Sequence, residues 1–426
     1  MSKSKWKDPK TANELINRIV NIQAKEKNTS SLLSGYIGFK SQFDSIKFDV
    51  FSELLKEQVR FNKEIPLFNQ NLFFRKSLFK AADEERLNTS YVSDNIKILE
   101  TDYLNKPKRE YVFITRISLS GLKRTKKTKT PNSEIIFSKQ CPKCFKKHYN
   151  FEEAKSLFPN TDGYNTWVSV HVIARCEHSA SGKALDELGY YLGIINLIYN
   201  FNKSRRSSGT KIKPINKIRK YPYHSLHYDS GERATNLYWY EPNFSEIGDV
   251  IFDDDDFIKV NKLFKKISRD ILKTSRYEYF NEVFNNYTDS LETNDLNKSF
   301  KMLWSILETL TLSSKDNYDV TINRALVPFS DKFIVKMQLE MLREKRNIAV
   351  HTNRQFENAE QLTYMLLNII NNYIQFMIRL SINIKNEKQI KQVIDLPTDS
   401  DKLFKKINDL NSQIENINSI KNIMNI

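Results

Sequence analysis

The stretch IVKMQLEMLREKRNIAVH, residues 334–351, decides how the second half of the chain folds. Its Ile334, Met337, Met341 and Ile348 are separated by three, four and seven residues, so on a helix they line one face. A strongly apolar segment of the same period follows from Asn358 to Ile384. Working outward, the acidic run Asp253 to Asp256 precedes Phe257, Val260, Phe264 and Ile267, spaced three, four and three. Carboxylates in a first turn meet the positive end of the helix dipole, so this run predicts a helix start. The pattern predicts four helices, Asp253 to Thr288, Asp295 to Leu312, Asp331 to His351 and Asn358 to Ile384, joined by modest connections into one up-and-down bundle.

Near the end of the third helix stand Arg346, Asn347 and His351. Arginine holds its charge at any pH and forks onto phosphate oxygens, while histidine takes or gives a proton near neutrality. Asn347 and His351 are four residues apart and share a helix face, where an amide can fix the orientation of the imidazole. Cutting RNA with its own 2′-hydroxyl needs a base for that hydroxyl, an acid for the leaving 5′-oxygen and positive charge for the crowded phosphorane. These three side chains supply those parts. Arg219 and His224 repeat the same spacing, but Pro222 lies between them and forbids a regular helix there.

On these residues the region Asp253 to Ile384 resembles a HEPN domain, whose signature is an arginine, a polar residue such as asparagine, three more residues and a histidine near the end of the third helix. The helix Phe300 to Leu310 is similar to one that, in the ApeA-like branch of that family, carries a tryptophan and a Leu-Glu pair; here these are Trp304, Leu307 and Glu308. The resemblance implies a metal-independent endoribonuclease with Arg346, Asn347 and His351 catalytic, leaving a 2′,3′-cyclic phosphate and a 5′-hydroxyl. It also implies a homodimer through the bundle, with two motifs in one cleft, and a regulated toxin or abortive-infection effector in anti-phage defence, answering to a phage-encoded trigger. Glu308 is positioned to orient Arg346 or to form a rim ion pair, and Arg343 and Lys345 flank the motif where they can steer RNA. The alternatives are a non-catalytic RNA-binding HEPN module and a protein-interaction or phage-sensing scaffold.

A formal charge of +16 over 426 residues suits a polyanion partner, and RNA (tRNA, mRNA or rRNA) is the one the motif selects. The length predicts two or three domains. The boundaries expected are a disordered tail at 1–10, an α+β sensor or regulatory region at 11–250, the bundle at 251–385, and a linker with a C-terminal amphipathic helix at 386–426. In the α+β region a short helix runs through Leu15, Ile19 and Ile22, and the stretch from Tyr36 to Phe79 fits either strands or helices. Alternation predicts antiparallel strands at Glu110 to Ser118, Ile135 to Ser138 and Trp167 to Ala174, and Ser179 to Asn200 reads as a long helix. Two basic runs are expected to be loops available to phosphates: one carries Lys123, Arg124, Lys126, Lys127 and Lys129, and the other carries Arg205 and Arg206. His224 and His227, set among tyrosines, are read as a loop that packs its rings or stacks on bases.

Cys141 and Cys144, in a Cys-Pro-Lys-Cys turn, make half of a tetrahedral zinc site that Cys176 and His178 can complete as a zinc knuckle, with His148 the substitute ligand. Ordinary reduced thiols are the competing reading, and no cofactor is expected for catalysis. Neither a Walker loop nor a Gly-x-Ser-x-Gly elbow occurs. The longest apolar run, around Met365 to Leu380, is broken by Asn368, Asn371, Asn372, Gln375 and Arg379, so no membrane partner is expected. The polar start and three cysteines predict a cytoplasmic chain. Leu403, Ile407, Leu410, Ile414 and Ile417 trace a heptad seam of two repeats, expected to dock on the chain's own bundle, with a free-standing coiled coil as the alternative.

Overall fold

In a computed structural model, backbone is described for residues 5–26, 42–159, 164–200, 214–241, 244, 250–352, 358–397 and 399–424. Side chains are described for these residues except 23–26, 42–45, 200, 250, 349–352 and 421–424. The architecture is α+β, and the chain divides into two compact units, Met1–Glu110 with Ile173–Ala180, and Tyr111–Val172 with Ser181–Ile426.

The first unit holds four helices, α1 (Pro9–Glu26), α2 (Gln42–Glu57), α3 (Leu67–Asp83) and α4 (Thr89–Asn105). The ambiguous stretch from Tyr36 to Phe79 is therefore helical over 42–57 and from Leu67 on, with a non-helical connection at 58–66, and its aromatics fill a core. Phe48, Leu55, Phe74 and Leu78 pack with Ile16, Ile19, Val92 and Ile96. The expected disordered tail needs correcting from Lys5 onward. Trp6 is buried in this core, bridges Val59 and donates its indole N–H to Thr89 O at 3.1 Å. A basic, polar composition hid the one aromatic side chain that anchors the segment.

The chain then runs through β1 (Arg109–Ile117), β2 (Leu119–Ser120), β3 (Lys126–Lys129), β4 (Glu134–Ser138), the short α5 (Lys143–Lys146), α6 (Phe151–Leu157), β5 (Thr166–Ala174) and α7 (Glu177–Asn200), all in the second unit except Arg109, Glu110, the end of β5 from Ile173 and the start of α7 to Ala180. It continues through β6 (Tyr223–Tyr228), β7 (Arg233–Tyr240) and β8 (Val250–Ile251). Six strands form one sheet in the order β3-β4-β5-β1-β6-β7, with the β3–β4, β4–β5, β1–β6 and β6–β7 ladders antiparallel. The three predicted strands are β1, β4 and β5. Lys126 to Lys129 belongs to strand β3, paired residue by residue with Glu134 to Phe137, so part of the expected basic loop is a ladder.

Beyond the sheet come α8 (Asp254–Lys273), α9 (Tyr277–Glu292), α10 (Leu296–Leu310), α11 (Tyr318–Ala325), α12 (Lys332–Thr352) and α13 (Ala359–Asn383), then α14 (Glu387–Ile394) and α15 (Ser400–Met424). Asp253 caps α8 as its composition required, accepting the amides of Asp255 and Asp256 at 2.9 and 2.8 Å. The long helix expected from Asp253 to Thr288 is two helices. Thr274 Oγ1 turns back on Ile271 O at 2.6 Å, and Ser275 takes a left-handed φ of 60° that ends α8. The buried face of α12 also differs from the one read in the sequence. Val335, Leu339 and Leu342 point inward, while Ile334 and Met337 are 48% and 53% exposed. Both sets have helical spacing, so periodicity alone could not rank them. The bundle centres on α10, which packs on α9, α12 and α13, while α13 also packs on α8.

The expected docking of the C-terminal seam is overturned: every residue of α15 from Ser400 to Ile420 is exposed. The docked segment is α14, through the buried Ile390 and Ile394.

The sheet and the helices of the second unit share α7. Tyr190 meets Phe264 and Phe284 edge-on, and Thr288 Oγ1 donates to Gly189 O at 2.9 Å. Gly193 is required there, since a Cβ would lie 2.5 Å from Phe284 O and 2.9 Å from Phe284 Cβ. Gly182, earlier in α7, has nothing within 4 Å of its Cβ position. The two glycines should respond to alanine with opposite sign. Gly182→Ala is expected to stabilise by about 0.5–1 kcal/mol through helix propensity. Gly193→Ala is expected to destabilise by about 1–3 kcal/mol, because overpacking outweighs that gain. Denaturant midpoints of the two variants check this, and equal shifts would show that α7 and α9 are not in close contact.

Candidate active site

Tyr318 is the residue around which the motif is arranged, and it lies on α11, a helix the sequence did not predict. The local cause is legible afterwards. Asn317 caps α11 by accepting Val320 N at 3.0 Å, and Leu312, with φ 53°, ends α10 just before it. The guanidinium of Arg324, buried on the same helix, donates Nη1 to Thr311 O and Leu312 O at 3.1 and 2.9 Å. It also pairs with Asp316 at 3.2 Å and Asp395 at 2.6 Å. Thr311, Ser313 and Thr321 hydroxyls form a buried chain with 2.7 Å links across the same turn. These contacts press α11 against the end of α10.

Tyr318 then meets Trp304 of α10 edge-to-face, with centroids 6.2 Å apart, and Arg346 of α12 lies over its ring, Cζ 4.9 Å from the centroid. Arg346 Nη1 also donates to the Tyr318 hydroxyl. Beside it, Asn347 Oδ1 is buried and has no hydrogen-bond partner among the described residues. His351 lies one turn further along α12; only its backbone is described. The helix itself sets Asn347 and His351 on one face.

The flanking residues divide. Arg343 Nη1 donates to Asp319 Oδ1 of α11 at 2.6 Å, at a solvent-open rim where such pairs contribute little. Lys345 is half-buried and makes no ion pair among the described residues. Glu308 does not orient Arg346 directly. Its Oε1 accepts the Trp304 indole N–H at 2.9 Å, so it acts on Arg346 only through Trp304 and Tyr318. The spacing of Trp304 and Glu308, four residues on one helix, favours that bond over a reach to another helix.

Of the basic residues read as loops, Arg205 and Arg206 lie outside the described residues. Lys126 pairs with Asp254 at 3.2 Å, and Lys127 with Glu134 at 3.5 Å. Lys123 and Arg124 are exposed, and the Lys123 amide donates to Asp254 Oδ1 at 3.2 Å. The segment therefore clamps the acidic start of α8, with Gly121 at φ 96° allowing close approach to the Phe252 backbone.

The zinc set is not assembled within either unit. Cys141 and Cys144 belong to the second unit, Cys176 and His178 to the first. Cys141 is buried among Phe145, Tyr149 and Tyr164, and burial, followed by the neighbouring Cys144, pushes its thiol up to about 11. Cys176 Sγ lies 3.7 Å from Asn69 Oδ1, and His178 stacks on Phe68 with centroids 3.8 Å apart. His148 joins no three-ligand group with Cys141 and Cys144, and within either unit taken alone the described residues hold no convergent group of three ligating side chains. The spacing of the cysteines carried no information about which unit each would join.

A second charged cluster went unread because its members are far apart in sequence. Lys220 Nζ is buried within 3.3 Å of Glu241 and Asp289 and 3.7 Å of Glu292. Arg219 donates to Glu292 O at 2.6 Å. His224 and His227 are core residues of β6, not a base-stacking loop. His224 bonds Thr115 Oγ1 at 2.7 Å and Glu241 at 3.2 Å, and His227 bonds Gly231 O and Ser225 Oγ, both at 2.9 Å. The rival match of Arg219 with His224 is thereby spent inside the fold.

Comparison with protein-family models, curated proteins and solved structures finds no match to the chain. Among the described residues no helix is long and apolar enough to cross a membrane.

Two outcomes follow from the burial of these groups. Burial, with the charges of Arg233 and His148, lowers the His227 imidazole to about 4 against the pull of Gly231 O. The unfolded chain then binds the extra proton below its own value near 6.5, so stability falls as pH drops from there to about 4, by about 3 kcal/mol for this group. Urea unfolding of His227→Gln should show a shallower slope over that window; parallel curves would assign the slope to other groups. Iodoacetamide at about pH 8 should alkylate Cys144 well before Cys141, since only the thiolate reacts. Mass spectrometry showing equal labelling would mean that Cys141 is open to solvent.

Proposed function

We propose that the chain is a metal-independent endoribonuclease of the HEPN type, acting in the cytoplasm as a regulated toxin or abortive-infection effector in anti-phage defence. The observation that carries the reading is the arrangement on α12. Arg346 is held over and bonded to Tyr318, and next to it the buried Asn347 amide oxygen has no partner among the described residues. A fixed guanidinium and an unused amide, one turn from His351, suit a phosphate and an imidazole.

The chemistry requires two protons to move. One His351 takes the proton of the RNA 2′-hydroxyl as its oxygen attacks phosphorus. A second gives a proton to the 5′-oxygen as the P–O5′ bond breaks, leaving a 2′,3′-cyclic phosphate and a 5′-hydroxyl. Arg346 stabilises the charge on the phosphorane. Two histidines mean two copies of the chain, and α12 offers a surface for that pairing. Phe333, Ile334, Met337 and Ile348 are exposed apolar residues on the helix that carries the motif. Tyr318 is a positioning residue for Arg346. A constitutively active ribonuclease would damage its host, so the residues outside the bundle are assigned its control.

Purified wild-type protein incubated with total RNA in excess EDTA should generate new 5′-hydroxyl ends. His351→Ala and Arg346→Ala should each lose cleavage by about 10²-fold or more while still binding RNA. Tyr318→Phe, which keeps the ring but removes the hydroxyl, should lower the rate by roughly fivefold, the effect of one hydrogen bond. Tight, salt-dependent RNA binding without cleavage by wild type would favour the non-catalytic RNA-binding module instead.

A further inference from the structure

The helix α15 is 25 residues long and exposed along its whole described length. By composition it should not stand alone in water. It contains five asparagines and five isoleucines and no alanine, and both of the former types rank below the good helix formers. An isolated helix of such a sequence is marginal. Yet one face carries a continuous apolar seam. With Leu403, Leu410 and Ile417 at d, Ile407 and Ile414 fall at a, and these five are 36–63% exposed. Phe404 and Ile420, at e and g, are 66% and 54% exposed and widen the seam. Of the seven charged residues of α15, Asp401, Lys402, Lys405, Asp409 and Glu415 fall at b, c or f, on the opposite side, while Lys406 falls at g and Lys421 at a.

We propose that α15 pairs with α15 of a second copy of this chain as a parallel, two-stranded coiled coil. Three features choose this occupant. Isoleucine at a with leucine at d favours two parallel strands, and from Leu403 to Ile417 the a positions are Ile407 and Ile414 and two of the three d positions are leucine. Identical helices in that register set Lys406 at g against Asn411 at e, and Gln413 against Asn418, so no like charges face each other from Leu403 to Ile417; Lys421, at the next a, is the one charge of the helix that would meet its own copy, at the end of the seam. The chain's own bundle has its adjoining segment in α14, whose Ile390 and Ile394 are already buried. The pairing turns a marginal helix into a stable one by burying its apolar stripe, and it stands whether or not the bundle cuts RNA.

The test uses the full chain. Ile417→Cys places a thiol at d and Ser412→Cys places one at f, on the outer side. Under mild oxidation Ile417→Cys should form a covalent dimer on a non-reducing gel, while Ser412→Cys and wild type, with its three native cysteines, should not. In sedimentation velocity, wild type should run as a dimer and Ile414→Lys should weaken dimerisation by at least tenfold, with its melting of the main fold unchanged. A wild type that is monomeric at tens of micromolar, or equal cross-linking from Ile417→Cys and Ser412→Cys, would overturn the proposal. So would a dimer that Ile414→Lys leaves at full strength, which would assign association to another face. RNA cleavage is read separately, so loss of the dimer and absence of nuclease activity remain distinguishable.

Discussion

The guanidinium of Arg324 is the contact on which the candidate site depends. It satisfies two carbonyls at the end of α10, which a helix C-terminus leaves without partners, and at the same time pairs with Asp316 and Asp395. One side chain therefore joins the end of α10, the connection to α11 and the segment after α14. Removing it would leave buried carbonyls unpaired, costing about 1–3 kcal/mol for each group. Tyr318 would then have no fixed place between Trp304 and Arg346. The order of dependence runs from Arg324 to the position of α11, then to Tyr318, and finally to Arg346.

Lys220 does for the sheet what Arg324 does for the site. It leads into β6 and draws Asp289 and Glu292 of α9 toward Glu241 beyond β7. Glu292 is pushed up to about 7 by burial, against the pull of Lys220, so the cluster is held at a cost in desolvation. A buried cluster of this kind is poor evidence for net stability but fixes which groups must meet. With the packing of α7 against α8 and α9, it explains why the sheet and the helical half form one compact unit.

The parts of the fold that the sequence made legible were those with a local cause. Alternation located β1, β4 and β5, and the acidic cap located the start of α8. Three errors had a common source. The buried face of α12, the division of α8 from α9 and the use of the C-terminal seam each depend on what lies opposite, and periodicity gives spacing without naming the neighbour. The zinc reading is a related case: Cys141 with Cys144 and Cys176 with His178 are close in sequence pairs, but the pairs fall in different units, so neither unit by itself assembles the four.

Arg346, Asn347 and His351 share a helix because four residues make one turn, which the chain determines by itself. That α11 exists and that its tyrosine carries Arg346 were decided by contacts between three helices, Tyr318 with Trp304 of α10 and, across 28 residues of sequence, with Arg346 of α12. Local spacing follows from backbone geometry and can be counted. Which side chain meets which across helices follows from packing, where every element must bury its apolar face and satisfy its polar groups at once.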